Sequence, residues 1–359
     1  QSLAVQSADG YTFNTAVGYN SGQQVTSGSQ QVLIGAYAGD ALTTGAQNVA
    51  IGYKALTGED TGNKNIAIGT NALEVLNYNG DGYNVAIGHD SGKNVTTGVQ
   101  NTLIGGLAGD ALTTGAENTA LGYQAMTNAN STESRNVAIG AYALQGLDNG
   151  STTNTYNVAV GYSAGILVST GVDNTLIGSH AGDSLTTGSY NVAIGHSALN
   201  TEDEHGKNIA IGVNALAVQD AGVDAYNVAI GYNVGDAIST GVRNTLIGGG
   251  HTGSGLTTGS YNVAVGYGAL QFEDAHGYNT AVGMQALNAL NAGANGYNVA
   301  LGYQAGFAMN TGVSNTVIGA NAGDALTTGQ KNIAIGRNAL GGEDTGNKNI
   351  AIGNSALLV

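Results

Sequence analysis

"NVAIGYKALTGEDTGNKNIAIGTNAL" runs from Asn48 to Leu73 and says nearly the same thing twice. "NVAIGYKAL" opens at Asn48 and "NIAIGTNAL" opens at Asn65, 17 residues later. The whole chain is written in this unit. Twenty copies of N-[VIT]-[AL]-[IVL]-G, one of them with Val317 in the third place, begin at residues 14, 31, 48, 65, 84, 101, 118, 136, 157, 174, 191, 208, 227, 244, 262, 279, 298, 315, 332 and 349. Most spacings are 17; the others are 18, 19 and 21. The first position is Asn in all copies but one, which has Gln31, and the fifth is always Gly. Self-similarity at a fixed short period marks a stacked-repeat architecture, in which each unit buries its apolar face only against its neighbours.

A second period lies on top of the first. Every fourth unit is alike, giving five blocks that start at Asn14, Asn84, Asn157, Asn227 and Asn298. The second unit of a block reads "LIGAYAGDALTTG" from Leu33 and returns as "LIGGLAGDALTTG" from Leu103. Residues 1–13 form an N-terminal segment and 14–359 a single repeat domain.

Each unit opens on a β-branched apolar run such as Val49-Ala50-Ile51, which favours a strand. A second apolar spot follows, Ala38 and Leu42 or Ala55 and Leu56, and then a "TTG" or "DTG" turn. Seventeen residues are too few for a strand plus a helix. They suit one turn of a parallel β-solenoid, expected to have two short strands and two corners. Twenty coils at one strand spacing each would stack to about 90–100 Å. The expected fold is therefore all-β, a parallel β-solenoid (β-roll) of about twenty 17-residue coils. Insertions fall late in the unit, as in "LEVLNYNGDGY" from Leu73, and predict an outward loop there.

Stacking gives the fixed positions a reason. The Asn of one coil would sit above the Asn of the next, forming an amide ladder through Asn48, Asn65, Asn84, Asn101, Asn118, Asn191 and Asn208. The glycines Gly52, Gly69, Gly88, Gly105, Gly122, Gly195 and Gly212 would form corners, either for positive φ or for close backbone approach. The Val-Ala-Ile run puts apolar groups on both strand faces, so one face calls for a partner, which another copy of the chain would supply.

Composition narrows the function classes. The chain has 359 residues, 60 Gly and no Cys, Pro or Trp, with a formal charge of −15. Nucleic acid, which needs a cationic footprint, is not an expected partner. No apolar run approaches the roughly 20 residues of a spanning helix, so this segment is not expected to insert in a membrane. The chain starts at Gln1 without Met, which reads as a processed product or the ordered part of something longer.

The units "NVAIGYKAL", "NTALGYQAM" and "NTAVGMQAL" resemble the repeats of bacteriophage-type tail fibre proteins and related marine bacterial surface proteins. They are also similar to the head repeats of trimeric autotransporter adhesins, which share an N-S-V-A-I-G core. The resemblance covers essentially the whole chain. It implies a left-handed parallel β-roll with three chains intertwined about one axis, hence a homotrimeric extracellular shaft on a virion or cell surface. The adhesin unit is shorter than 17 residues, so a larger corner loop is expected here. Membrane anchor, coiled-coil stalk heptads and tail-fibre chaperone domain are not visible in the sequence.

No catalytic residue and no cofactor is expected, and the chain does not read as an enzyme. Acidic pairs recur at Glu59-Asp60, Glu202-Asp203, Glu273-Asp274 and Glu343-Asp344. Two carboxylates can serve glycoside hydrolysis, but an active site is not normally copied at one loop position in block after block. The pairs read as solvated loop carboxylates, with a weak Ca²⁺ site as the alternative. The "AGD" residues Asp40, Asp110, Asp183 and Asp324 read as corner residues bonding their own backbone. His205 and His276 share a loop position, and the six His read as surface residues without metal-ligand spacing. Seven Tyr precede the leading Asn and seven follow the Gly, for packing between chains or for glycan binding. Function therefore divides into a structural fibre shaft and a repeat-based binding module for glycan or, less readily, ice.

Overall fold

The computed structural model describes residues 2–3, 6, 11–128, 132–148, 150, 154–342 and 344–358. It is an all-β parallel β-solenoid without helix among these residues. The chain divides into two compact units, Gln1–Thr187 and Gly188–Val359. The first carries ten three-residue strands, from β1 (Thr15–Val17) to β10 (Thr175–Ile177); the second carries ten more, from β11 (Val192–Ile194) to β20 (Ile350–Ile352).

Within each unit, successive strands pair in parallel and without slippage. Val49, Ala50 and Ile51 face Ile66, Ala67 and Ile68 across a 17-residue step. The pairing survives longer steps: Ile66 still faces Val85, and Val137 still faces Val158. Extra residues are therefore expelled into the segment between strands, as in the loop from Leu73 to Tyr83.

Only one strand per coil forms among the described residues, where two were expected. The second apolar spot is a turn. Lys54 and Leu56 both adopt φ of +55°, and the same left-handed pair recurs at Asn71 and Leu73. Alternating αL and right-handed residues reverse the chain too often for a second strand to extend.

The core is a set of small columns. The middle strand residue points inward and is fully buried, as in Ala50, Ala67, Ala86 and Leu103. Ala55, Ala72 and Ala108 form a second buried column, Leu56 and Leu73 lie in a third, and Leu42 and Leu112 lie in a fourth, three positions further along the coil. Volume matching accounts for the block of four. Where Leu103 replaces the usual Ala in the strand, Gly92 and Gly109 lie beside it. A Cβ on either would come within 2.7–2.8 Å of a Leu103 methyl group. Leu33 sits in the same way between Gly22 and Gly39, and Leu176 between Gly165 and Gly182. One large residue per four coils is thus accommodated by two glycines, as close packing demands.

Two further features bind coil to coil. The corner Gly52 has φ of +136°, and a Cβ there would lie 2.5 Å from the carbonyl oxygen of Gly69. Both reasons for glycine, positive φ and close approach, hold at this one position. The leading Asn side chains are buried from Asn48 to Asn332, as is Gln31 in the same column. Asn84 Oδ1 accepts the backbone N–H of Asn101 at 3.0 Å, and Asn101 Oδ1 accepts that of Asn118 at 3.0 Å. In the second unit Asn191 Oδ1 accepts from Asn208 at 3.0 Å and Asn227 Oδ1 from Asn244 at 2.8 Å. The Nδ2 group closes the coil's own last turn: Asn48 donates to the Gly62 carbonyl at 2.8 Å and Asn101 to that of Gly115 at 2.9 Å. Asn48 and Asn101 thus satisfy both a neighbour's backbone donor and their own coil's backbone acceptor, whereas Asn65 Nδ2 donates back to the Asn63 carbonyl of the preceding coil at 3.1 Å.

Asn101→Ala strands the Asn118 N–H and the Gly115 carbonyl in a buried place. A loss of about 1–3 kcal/mol is expected, read as a lower midpoint in chemical denaturation. Gln100→Ala, at the exposed neighbouring position, should leave the midpoint in place.

Candidate functional site: outer columns and acidic loops

Repetition turns every outward position into a column, and three such columns carry chemistry. The first is the outer strand face. The residues flanking the buried middle position are Val, Ile, Leu or Thr, and nearly all are partly exposed; Leu121 is 42 % exposed and Leu301 47 %. Each unit therefore presents an apolar stripe along its strands.

The second is aromatic. Tyr residues one or two places after the corner Gly are part-exposed and meet edge to face. Tyr19, Tyr37 and Tyr53 have ring centroids 5.4 and 6.1 Å apart, and Tyr123, Tyr142 and Tyr162 form a similar run. These are favourable aromatic geometries.

The third is the position before the ladder Asn, where every such residue from Phe13 to Lys348 has positive φ. Tyr261, Tyr278 and Tyr297 stack there at 4.9 and 5.1 Å. The cations share this column. Six of the nine Lys and Arg stand in it: Lys64, Arg135, Lys207, Arg243, Lys331 and Lys348. Lys207 Nζ lies 5.1 Å from the Tyr226 ring centre, and Arg243 lies within 5.7 Å of both Tyr226 and Tyr261. Such contacts are worth roughly 0.5–1 kcal/mol at exposed sites. Acids in adjacent coils pair with them: Lys64 donates to Asp81 at 2.6 Å and Arg135 to Glu117 at 2.9 Å. Sequence reading noted the Tyr and missed the cations. Aligning all twenty units on the residue before Asn exposes them.

The acidic loops differ from expectation. Glu59, Glu202 and Glu273 are fully buried rather than solvated. Their carboxylates turn inward and cap the loop: Glu59 Oε1 accepts the Gly62 N–H at 2.7 Å, and Oε2 accepts the Tyr78 N–H at 3.3 Å. A tight turn leaves those N–H groups facing the coil interior, where water cannot serve them. Burial pushes all three Glu above the usual carboxylate range. Glu202 reaches about 7, through burial first and then repulsion from Asp220, Asp203 and Asp224. The partners Asp60 and Asp203 are half-buried and Asp274 is exposed. Glu343 lies outside the described residues; the Asp344 carbonyl accepts from Thr327. Two loops gather mixed donors: Glu202, Asp203 and His205, and Glu273, Asp274 and His276, each with one ligand atom per residue within 4.8 Å of the others.

The corner acid Asp110 has one carboxylate oxygen buried without a hydrogen bond. Burial and the nearby Asp90 push its pKa from 3.8 to about 6, against hydrogen bonds from its own backbone.

Among the described residues no helix is long and apolar enough to cross a membrane. Compared with known proteins, the chain matches no protein-family model and no curated protein sequence.

The raised pKa of Asp110 sets a pH dependence. The folded state holds its proton more tightly than the unfolded one, so its stabilising contribution is complete below pH 3.8 and fades as pH rises through about 6. Asp110→Asn removes that slope. The difference in melting temperature between variant and parent should grow in the variant's favour from pH 3.5 to 6.5, and a constant difference would show that Asp110 is not perturbed.

Proposed function

We propose that the chain is the structural shaft of an extracellular fibre, of phage-type tail fibre or bacterial surface adhesin character, serving attachment at a virion or cell surface. The observation that carries this reading is the apolar stripe. Every coil is held by the same inter-coil bonds, yet each leaves Val, Ile or Leu side chains part-exposed on the outer strand face. Repeated coil after coil, this surface exceeds the few hundred Å² that soluble monomers tolerate. A homotrimer with the stripes turned to a common axis buries the same patch on every copy by closed symmetry.

This reading assigns the chain no catalysis and no cofactor. Its partners are copies of itself and, at the surface it meets, glycans. A glycan-binding module is the second reading, and the half-exposed Tyr columns favour it. The rings, however, spend their faces and edges on one another: stacked Tyr261, Tyr278 and Tyr297 offer mainly edges, where a sugar would need an open face. An ice-binding face would need an unbroken Thr column, and Val or Ile interrupts it at Val49, Ile66 and Val85.

Sedimentation equilibrium at low concentration tests the assembly, with three times the 35.6 kDa chain mass as the expected result. Ile68→Lys and Ile194→Lys, at part-exposed outer strand positions in the single chain, should keep the β spectrum and release monomer. A soluble parent monomer would contradict the proposal.

A further inference from the structure

The loops that close the third coil of each block differ in one telling residue. Three positions before the next ladder Asn, the first block has Gly62 and the fifth has Gly346. The third and fourth blocks have His205 and His276 there. A Cβ at Gly62 would lie 2.5 Å from the Glu59 carboxylate carbon. A side chain at this position is therefore forced up against the buried glutamate, and the loop loosens to receive it. The capping distance from the backbone N–H to Oε1 is 2.7 Å with Gly62, 3.3 Å with His205 and 3.1 Å with His276.

Each imidazole turns Nδ1 inward and buries it, and that of His205 has no hydrogen-bond partner. His276 Nδ1 stands 3.4 Å from Glu273 Oε1. Two ligands bound at about 2.0–2.2 Å to one tetrahedral ion stand roughly 3.3–3.6 Å apart. An oxygen of the adjacent Asp203 or Asp274 completes each group. We propose that these two loops are divalent transition-metal sites, with Zn²⁺ as the reference ion, each built from one imidazole nitrogen, one buried Glu and one Asp.

The donor set selects the ion. Ca²⁺ takes six to eight oxygens, whereas one nitrogen and two carboxylates suit Zn²⁺ and its neighbours in the first transition row. A bound cation would also satisfy the orphaned Nδ1 of His205 and neutralise a carboxylate that burial has stripped of water. The two sites are not equal. Asp220 and Asp224 add negative charge around Glu202, with Lys207 paired to Asp224. The corresponding residues near Glu273 are Asn291 and Asn295. The Glu202 site is therefore the tighter one.

Calorimetric titration of the intact chain with ZnCl₂ in a non-coordinating buffer tests this. His205→Gly and His276→Gly restore the residue that the sister loops carry, so the fold is expected to persist, as a far-UV spectrum would verify. The expected result is two Zn²⁺ per chain, one in each single variant and none in the double variant. The tighter class should vanish with His205→Gly, and CaCl₂ should bind more weakly than ZnCl₂ in the parent. No Zn²⁺ uptake by the parent, or two ions still bound by the double variant despite His89, His180, His196 and His251 being its only imidazoles, would overturn the proposal.

Discussion

The bond from one coil's Asn Oδ1 to the next coil's Asn N–H is the constraint on which the rest depends. It is repeated at every step within each unit, at 3.0 Å between Asn84 and Asn101, and it is buried away from the chain's end coils. An unpaired donor or acceptor there would cost its full desolvation, so coils cannot slip by a residue. With register locked, length variation has one outlet. The 19- and 21-residue steps leave strand pairing unchanged, and the surplus leaves through the late loop. The same lock explains the corner glycine, since coils held at strand spacing bring the carbonyl of Gly69 where a Cβ of Gly52 would be.

A coil this narrow has room for little besides Ala, and the exceptions must be balanced. Leu103 between Gly92 and Gly109 is one balance, and its recurrence every fourth coil is the reason for the longer period. The buried glutamates are another. Glu59 does for the acidic loop what Asn Oδ1 does elsewhere, accepting from backbone N–H groups that face inward. Where His replaces Gly beside it, the same cap gains a nitrogen donor and becomes a candidate metal centre. The outside follows the opposite logic. On a chain with formal charge −15, six of the nine cations collect in one column, where Tyr rings and carboxylates from adjacent coils hold Lys64, Arg135 and Lys207.

Much of the fold was legible because the physics is periodic. The spacing of Asn48 and Asn65 sets the coil length, and Val-Ala-Ile marks the strand. The single strand per coil was not legible. Lys54 and Leu56 look like residues of an extended or helical segment, and positive φ at side-chain-bearing residues leaves no trace in composition. The acidic pairs were misread for a related reason. A charged residue in a polar loop is ordinarily solvated, and only the geometry shows the Gly62 and Tyr78 N–H groups waiting inside. The column of cations was present in the letters at Lys64, Arg135, Lys207 and Arg243, but it emerges only when neighbouring coils are laid on one another.

The fibre shaft proposed for this chain asks for a structure that resists local opening, and a ladder of buried inter-coil bonds would provide it. Hydrogen exchange resolved to single amides tests that claim most directly. The account predicts that the backbone N–H groups of Asn84, Asn101 and Asn118 in the first unit, and of Asn227 and Asn244 in the second, exchange only through global unfolding. Loop amides such as those of Asn79 and Asp81 should exchange far sooner. Ladder amides that exchange as fast as the loops would show that the coils part locally and that the Asn column does not hold them.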